Sequence, residues 1–191
     1  GSSMPFALAE YDPLGSKRSV QVVEPMRGGS GARFGQDGND ARDTSLNNMR
    51  NHPIETVEAG SSIRILRYDA AQDSGGPGKW RGGMGQTLVM ETLCENGFFL
   101  ASGIDRKRFR PWGIFGGYPA KGLKLIYNEG RLDEREIIRI HELAMKKGDT
   151  LTILMPGGGG YGNPLERDPT AVLRDVAIGY VSLESARDDY G

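Results

Sequence analysis

The 191-residue chain has one cysteine, Cys94, and two histidines, His52 and His141. A single thiol excludes an intrachain disulfide and fits a reducing, cytoplasmic setting. Cys94 lies in the apolar stretch 88–100 and reads as a small buried residue. A zinc site needs several N, S or O ligands, usually in short-spaced pairs, and no such pairs occur. No tight Asp/Glu constellation marks a magnesium or manganese site. There is no G-x-S-x-G elbow and no Cys–His arrangement for nucleophilic catalysis. Apolar runs of 18 residues are missing too, so no helix is expected to span a membrane. Charge of either sign is not in excess: 24 Lys and Arg balance 25 Asp and Glu, leaving no field to attract nucleic acid or an anionic membrane. At 37% hydrophobic residues the core should be modest, with some apolar surface completed by a partner. No repeat of 20–50 residues is present. No charged-then-apolar leader follows Met4. Gly1, Ser2 and Ser3 read as an expression scar, and the natural N-terminus is left open.

Glycine is abundant instead, with 29 residues. The densest run, MPGGGGYGNPLERDP at 155–169, places Gly157, Gly158, Gly159 and Gly160 between Pro156 and Tyr161. Glycine loses more backbone entropy on folding than any other residue. Four in a row are expected only where φ is positive or where something approaches the backbone closely. The run follows a strand-like segment at 150–154, so it belongs at the end of a sheet, as a site or an interface.

Four zones follow from the patterning: 1–3, the scar; 4–53, an extended loop-rich arm; 54–167, a β-rich domain; 168–191, a short helical tail. The arm has one short β signal at 20–23, and 28–40 holds too many turn formers for a helix or long strand. In the β-rich domain, 63–68 alternates, with Ile63, Ile65 and Arg67 on one face. Segments 86–93 and 97–102 flank Glu95-Asn96-Gly97, a hairpin signal. Segments 123–127 and 134–140 flank Asn128-Glu129-Gly130, a second one. Hairpins predict a mainly β fold, an antiparallel sandwich or irregular barrel with glycine-rich loops. In the tail, Asp168-Pro169 opens a helix with Val172, Leu173 and Val176 on one side and Gly179 at its end. Ser182 caps a second short helix reaching about Asp189.

Gly157, Gly159 and Gly162 formally satisfy G-x-G-x-x-G, but no helix begins there to hold a pyrophosphate, so nucleotide binding is rejected. Gly78-Lys79 is followed by Trp80 where a phosphate loop needs Ser or Thr. Segment 73–85 reads as a tight sheet-capping connection in which Trp80 plugs the core edge, with ligand contact as the lesser alternative. Arg106, Lys107, Arg108 and Arg110 form a basic cluster before Pro111-Trp112-Gly113. It reads as a turn carrying interface salt bridges rather than a nucleic-acid patch. No complete catalytic apparatus is specified by these residues.

Five strings, taken together and in order, resemble the C-terminal part of hydantoinase B/oxoprolinase-type subunits. They are GGSGARFGQDG (28–38), NNMRNHPIETVE (47–58), DSGGPGKWRGGMG (73–85), DRKRFRPWGIFGG (105–117) and PGGGGYGNPLERDP (156–169). That family includes N-methylhydantoinase, 5-oxoprolinase and the acetone and acetophenone carboxylases. The resemblance covers 28–191. It implies an accessory subunit of a multi-subunit ATP-dependent enzyme, a hydrolase or ligase inactive alone, acting on a small carbonyl compound or cyclic amide. Ketone carboxylation is slightly favoured over amide hydrolysis. The alternative is a non-catalytic assembly module. The implied partners are a hydantoinase A-type subunit, which binds ATP, and the N-terminal part of a B-type subunit, where the family's metal ligands lie. ATP and a divalent metal are therefore implied for the partners and none for this chain. No catalytic, cofactor or metal residue is assigned. Interface or substrate-channel candidates are Gly157, Gly158, Gly159, Gly160, Tyr161, Arg106, Arg108, Arg110, Trp112, Trp80 and His52. His52 stands where many members carry threonine, as a specific contact or a tolerated surface exchange.

Overall fold

The computed structural model describes residues 3–11, 17–42, 51–101, 106–138 and 142–191. Nine strands occur among them: β1 Ser3–Tyr11, β2 Lys17–Arg27, β3 Ile63–Ala70, β4 Gln86–Thr92, β5 Gly97–Ala101, β6 Lys124–Tyr127, β7 Arg135–Glu136, β8 Leu143–Met145 and β9 Thr150–Leu154. They build a four-stranded sheet, β2-β1-β5-β8, and a five-stranded sheet, β3-β4-β9-β6-β7. Every pairing between these strands is antiparallel.

Period-two alternation puts Met4, Phe6 and Leu8 of β1 into the interior, since alternate side chains share one face of a strand. They join Phe99 and Met145 of the same sheet in one cluster with Leu88, Met90, Leu125, Leu151 and Ile153 of the other. The Phe6 and Phe99 rings meet at 5.2 Å. Burial of each large side chain contributes about 1.5–3 kcal/mol, so this cluster is what holds the sheets face to face. The architecture is an open sandwich, not a barrel.

Several expectations are modified. Within the supposed arm 4–53, β1 and β2 are paired strands, because Met4, Phe6 and Leu8 supply an apolar face; the loop-like part begins after Arg27. The Asn96-Gly97 signal does not make a hairpin: β4 and β5 lie in different sheets, and 93–96 crosses between them. Each strand has apolar partners elsewhere, β4 against β3 and β9, β5 against β1 and β8. Cys94 falls in this crossover and is half-buried against the core. The second hairpin does form, pairing Ile126 with Glu136 and Tyr127 with Arg135. In β3 a register shift between Ile65 and Arg67 breaks the alternation and leaves Arg67 exposed.

Helix α1, Ile54–Gly60, packs Val57 into the core. In the tail, α2 Pro169–Ala177 is capped by the Asp168 carboxylate, which accepts from the Thr170 amide. Gly179 follows with φ +79°, and Ser182 caps α3, Leu183–Ser185. The expected apolar face of α2 is not its anchor: Leu173 is 70% exposed and Asp175 only 1%. Ion pairs to two buried arginines replace apolar burial there. No helix among the described residues is long and apolar enough to cross a membrane.

Candidate functional site

Beyond β9 the chain enters a layer packed by main chain. A methyl group built on Gly157 would lie 2.1 Å from the Ser74 carbonyl oxygen, on Gly158 1.8 Å from that of Ser30, on Gly159 1.8 Å from that of Trp112, and on Gly160 2.0 Å from that of Pro77. Gly157 and Gly160 thus both face the 74–77 segment, while the two glycines between face the arm and the 112–113 segment. A return every third residue is the period of an extended polyproline II-type helix. With a neighbour on each of three sides, no position has room for a side chain. None of these four glycines has positive φ, whereas Gly162 does, at +74°. Close approach, not handedness, fixes the run.

Backbone hydrogen bonds between segments complete the layer. Gly158 N–H donates to Gly83 at 2.8 Å and Gly160 N–H to Tyr118 at 3.0 Å. The carbonyls of Gly158, Gly159 and Gly160 accept from Gly76, Ala32 and Ile114 at 2.8–3.0 Å. The arm residues 28–42 lie across this layer, as expected of an extended arm, and residues 43–50 are outside the described residues.

A buried charge network ties the arm and tail together. Arg167 makes two 2.8 Å contacts with the Asp37 carboxylate and a 2.7 Å contact with Asp175. Arg81 reaches Asp175 at 3.3 Å and Asp40 at 3.2 Å. Burial pushes the Asp37 carboxyl up, but the hydrogen bond and charge of Arg167 carry it net below its ordinary value.

On the layer's surface, Gly29, Gly31, Gly157, Gly158 and Gly159 line a cleft of about 170 Å³ with Arg106, Pro111 and Trp112. Arg106 adopts φ +61° and lies over the Trp112 ring at 5.8 Å. A left-handed conformation costs a non-glycine residue about 1–2 kcal/mol, and such strain concentrates at functional sites. The lining offers a guanidinium, an indole and main-chain groups. Among its described lining residues, Arg106 and the main-chain groups can bind and orient a small polar group. Among the described residues no group of three or more His, Cys, Asp or Glu side chains is placed to hold a metal ion.

The structure therefore brings Gly157, Gly158, Gly159, Arg106 and Trp112 together, while Gly160 packs against Pro77 outside the cleft lining. Tyr161 and Trp80 form a separate aromatic row: their rings are 5.4 Å apart, with Phe34 5.0 Å from Trp80 and Phe115 5.1 Å from Tyr161. Trp80 and Tyr161 also exchange 3.0 Å backbone hydrogen bonds. Trp80 thus packs in this surface row rather than plugging the sandwich core. Arg108 lies over Phe109 at 5.3 Å, and Arg110 lines a second cleft with Lys107. Of the basic turn, Lys107 makes an ion pair within the chain, 2.9 Å from Glu136. His52 is exposed and lines neither cleft, and His141 is outside the described residues. Sequence reasoning missed Phe34 and Phe115, each an aromatic beside glycine in a segment read only for its turns, and the Arg81–Asp175–Arg167 network, which has no local spacing.

Comparison with known proteins agrees with this architecture. Residues 1–164 match the family described as hydantoinase B/oxoprolinase. The B-type subunit of a putative D-/L-hydantoinase from Pseudomonas sp. (strain NS671) is 36% identical over 88% of this chain and 28% of its own length. The beta subunit of caprolactamase from Pseudomonas jessenii is 32% identical over 100% of this chain and 34% of its own. The crystal structure of that ATP-dependent caprolactamase superposes with TM-score 0.78 at 28% identity, over 97% of this chain and 33% of the matched one. Nucleotide-free acetone carboxylase shares the fold, with TM-score 0.76 at 21% identity over 98% and 29%. The chain spans about a third of the length of these relatives. With the match running through both sheets and the glycine layer to residue 164, the chain belongs to the hydantoinase B/oxoprolinase family.

Proposed function

We propose that the chain is part of a hydantoinase B-type subunit of a multi-subunit, ATP-dependent enzyme that opens a small cyclic amide. Family membership supports the subunit class. The choice of cyclic amide is supported by the relatives at 36% and 32% identity, named for hydantoin and caprolactam, against 27% for the acetone carboxylase alpha subunit of Xanthobacter autotrophicus. This departs from the slight sequence-based preference for ketone carboxylation. In the proposed role the glycine cleft is one wall of the substrate path. Its main chain and the Arg106 guanidinium orient a polar carbonyl derivative, and ATP chemistry belongs to a hydantoinase A-type partner. The observation that carries this reading is the joining of Arg106 and Trp112 to the backbone-lined cleft.

The test is turnover by the full complex, assembled with and without this chain, on hydantoin, caprolactam and acetone with bicarbonate. ATP-dependent ring opening that requires the chain, and that falls in Arg106→Ala without loss of complex yield, is the expected result. Carboxylation of acetone without ring opening overturns the choice of substrate. Ring opening that does not depend on the chain, with only assembly yield affected, supports a scaffold role instead.

A further inference from the structure

The basic segment 106–111 is a wall between two clefts. Arg106 lines the glycine cleft, while Lys107 and Arg110 line a second one of about 520 Å³ together with Lys121 and Lys124. The floor of the second cleft is partly apolar, including Leu123, Leu154 and Met155. Small-molecule sites commonly run from about 300 to 1,000 Å³.

Charge in this cleft is unbalanced. Among its described lining residues the four cations face one carboxylate, Glu136. Lys107 occupies that carboxylate at 2.9 Å, and its amine also donates to the Ile137 carbonyl. The hydrogen bond and charge of Lys107 hold Glu136 below the usual carboxylate range, with a further contribution from Lys124. Lys121 reaches Asp73 only at 3.7 Å, at the edge of ion-pair range. Counting Asp73 with Glu136, four positive charges meet two negative ones. An occupant carrying two negative charges restores neutrality, and a short carbon skeleton fits the apolar floor.

We propose that this cleft binds a small organic dianion, a dicarboxylate or a phosphate monoester, through Arg110, Lys121 and Lys124. The assignment stands on charge and size alone and does not rest on the cyclic-amide reading. Arg110 and Lys124 are exposed, so their replacement leaves the fold intact.

Calorimetric titration of the 191-residue chain with succinate, glycerol 3-phosphate and the monoanion acetate tests it. Saturable binding of at least one dianion is expected, at least tenfold tighter than acetate and weakening as salt is raised. Arg110→Ala and Lys124→Ala should each weaken it about tenfold, as for loss of a hydrogen bond to a charged group. Arg108→Ala, outside the cleft, should not. The tighter dianion identifies the headgroup. Absence of saturable binding by both dianions, equal affinity for acetate, or indifference to both cleft variants overturns the proposal. Binding of an acidic peptide without either small dianion does so as well, and assigns the cleft to a protein partner.

Discussion

Leu151 and Ile153 of β9 are held by side chains from two sheets, whereas Gly157 to Gly160, a few residues further along the same chain, are held by main chain alone. The two regions share one strand exit and use opposite packing rules. In the sandwich, removing atoms is what harms. In the glycine layer, adding one carbon harms, because the nearest atoms are carbonyls of other segments, and those of Ser74, Ser30 and Pro77 are themselves hydrogen-bonded. The layer cannot relax locally, and that rigidity lets a surface with few side chains define a cleft.

The largest expected effect breaks the layer directly. In Gly158→Ala the new methyl meets the Ser30 carbonyl at 1.8 Å, and Gly82 lies against the carbonyl of Gly158 itself. The cost should reach about 4–5 kcal/mol, the exceptional end for a single substitution. By comparison Leu151→Ala should cost about 2–5 kcal/mol, and denaturant midpoints of both variants give the ranking. A smaller loss for Gly158→Ala than for Leu151→Ala would show that the layer yields.

Next comes the clamp between arm and tail. Asp175→Ala leaves Arg81 and Arg167 buried with one partner fewer, and breaking a buried pair costs about 3 kcal/mol or more. The loss should appear in thermal unfolding of the whole chain, since the network joins the arm, the 79–84 segment and α2. A change confined to local fraying of α2 would make the network a tail ornament only.

Gly130 sharpens the contrast between close approach and handedness. It has φ +78° with nothing within 4 Å of an added methyl. Gly130→Ala should cost only about 1–2 kcal/mol, and Gly130→Asn less, because asparagine tolerates the left-handed region. Gly158→Asn should be no better than Gly158→Ala. Equal rescue by asparagine at both sites would erase the distinction.

The smallest effects are in pH dependence. Burial, then donation to Asp149 at 2.6 Å, pushes the Tyr127 hydroxyl up to about 12. A raised folded value stabilises fully below the ordinary value of 10.0 and loses that contribution as pH climbs through about 12. Tyr127→Phe should flatten the alkaline limb of stability across that window. Asp37 has the opposite sign. Its lowered folded value supports stability above the ordinary 3.8, and that support fades as pH falls below it. Asp37→Asn should reduce the acid limb and leave the alkaline one unchanged.

Much of the architecture was legible because it repeats. Alternation identified β3, β-rich composition identified β4, and Asp168-Pro169 and Ser182 announced the tail helices. Glycine density located the layer. What could not be read was non-local. Asn96-Gly97 signals a hairpin, yet whether β4 and β5 pair depends on which sheet supplies each an apolar neighbour. Met4, Phe6 and Leu8 carried a strand signal that the surrounding polar composition obscured. For the candidate site, the glycine run, Arg106 and Trp112 were visible as separate strings. Their juxtaposition, and the meeting of Lys121 and Lys124 with Arg110 in the second cleft, depend on segments distant in sequence coming together. The pairing of Asp175 with Arg81 spans 94 positions, which no local pattern reports.

Native-state hydrogen exchange in the isolated chain tests the central claim most directly, that the glycine layer is ordered by its own main-chain packing. The amides of Gly158 and Gly160 donate to Gly83 and Tyr118, as those of a strand donate across a sheet. They should be protected to nearly the extent of the Leu151 and Ile153 amides and exchange with them in one cooperative unit. Exchange of the Gly158 and Gly160 amides at unprotected rates, while β9 stays protected, would contradict the account and make the layer a flexible loop that only a partner orders.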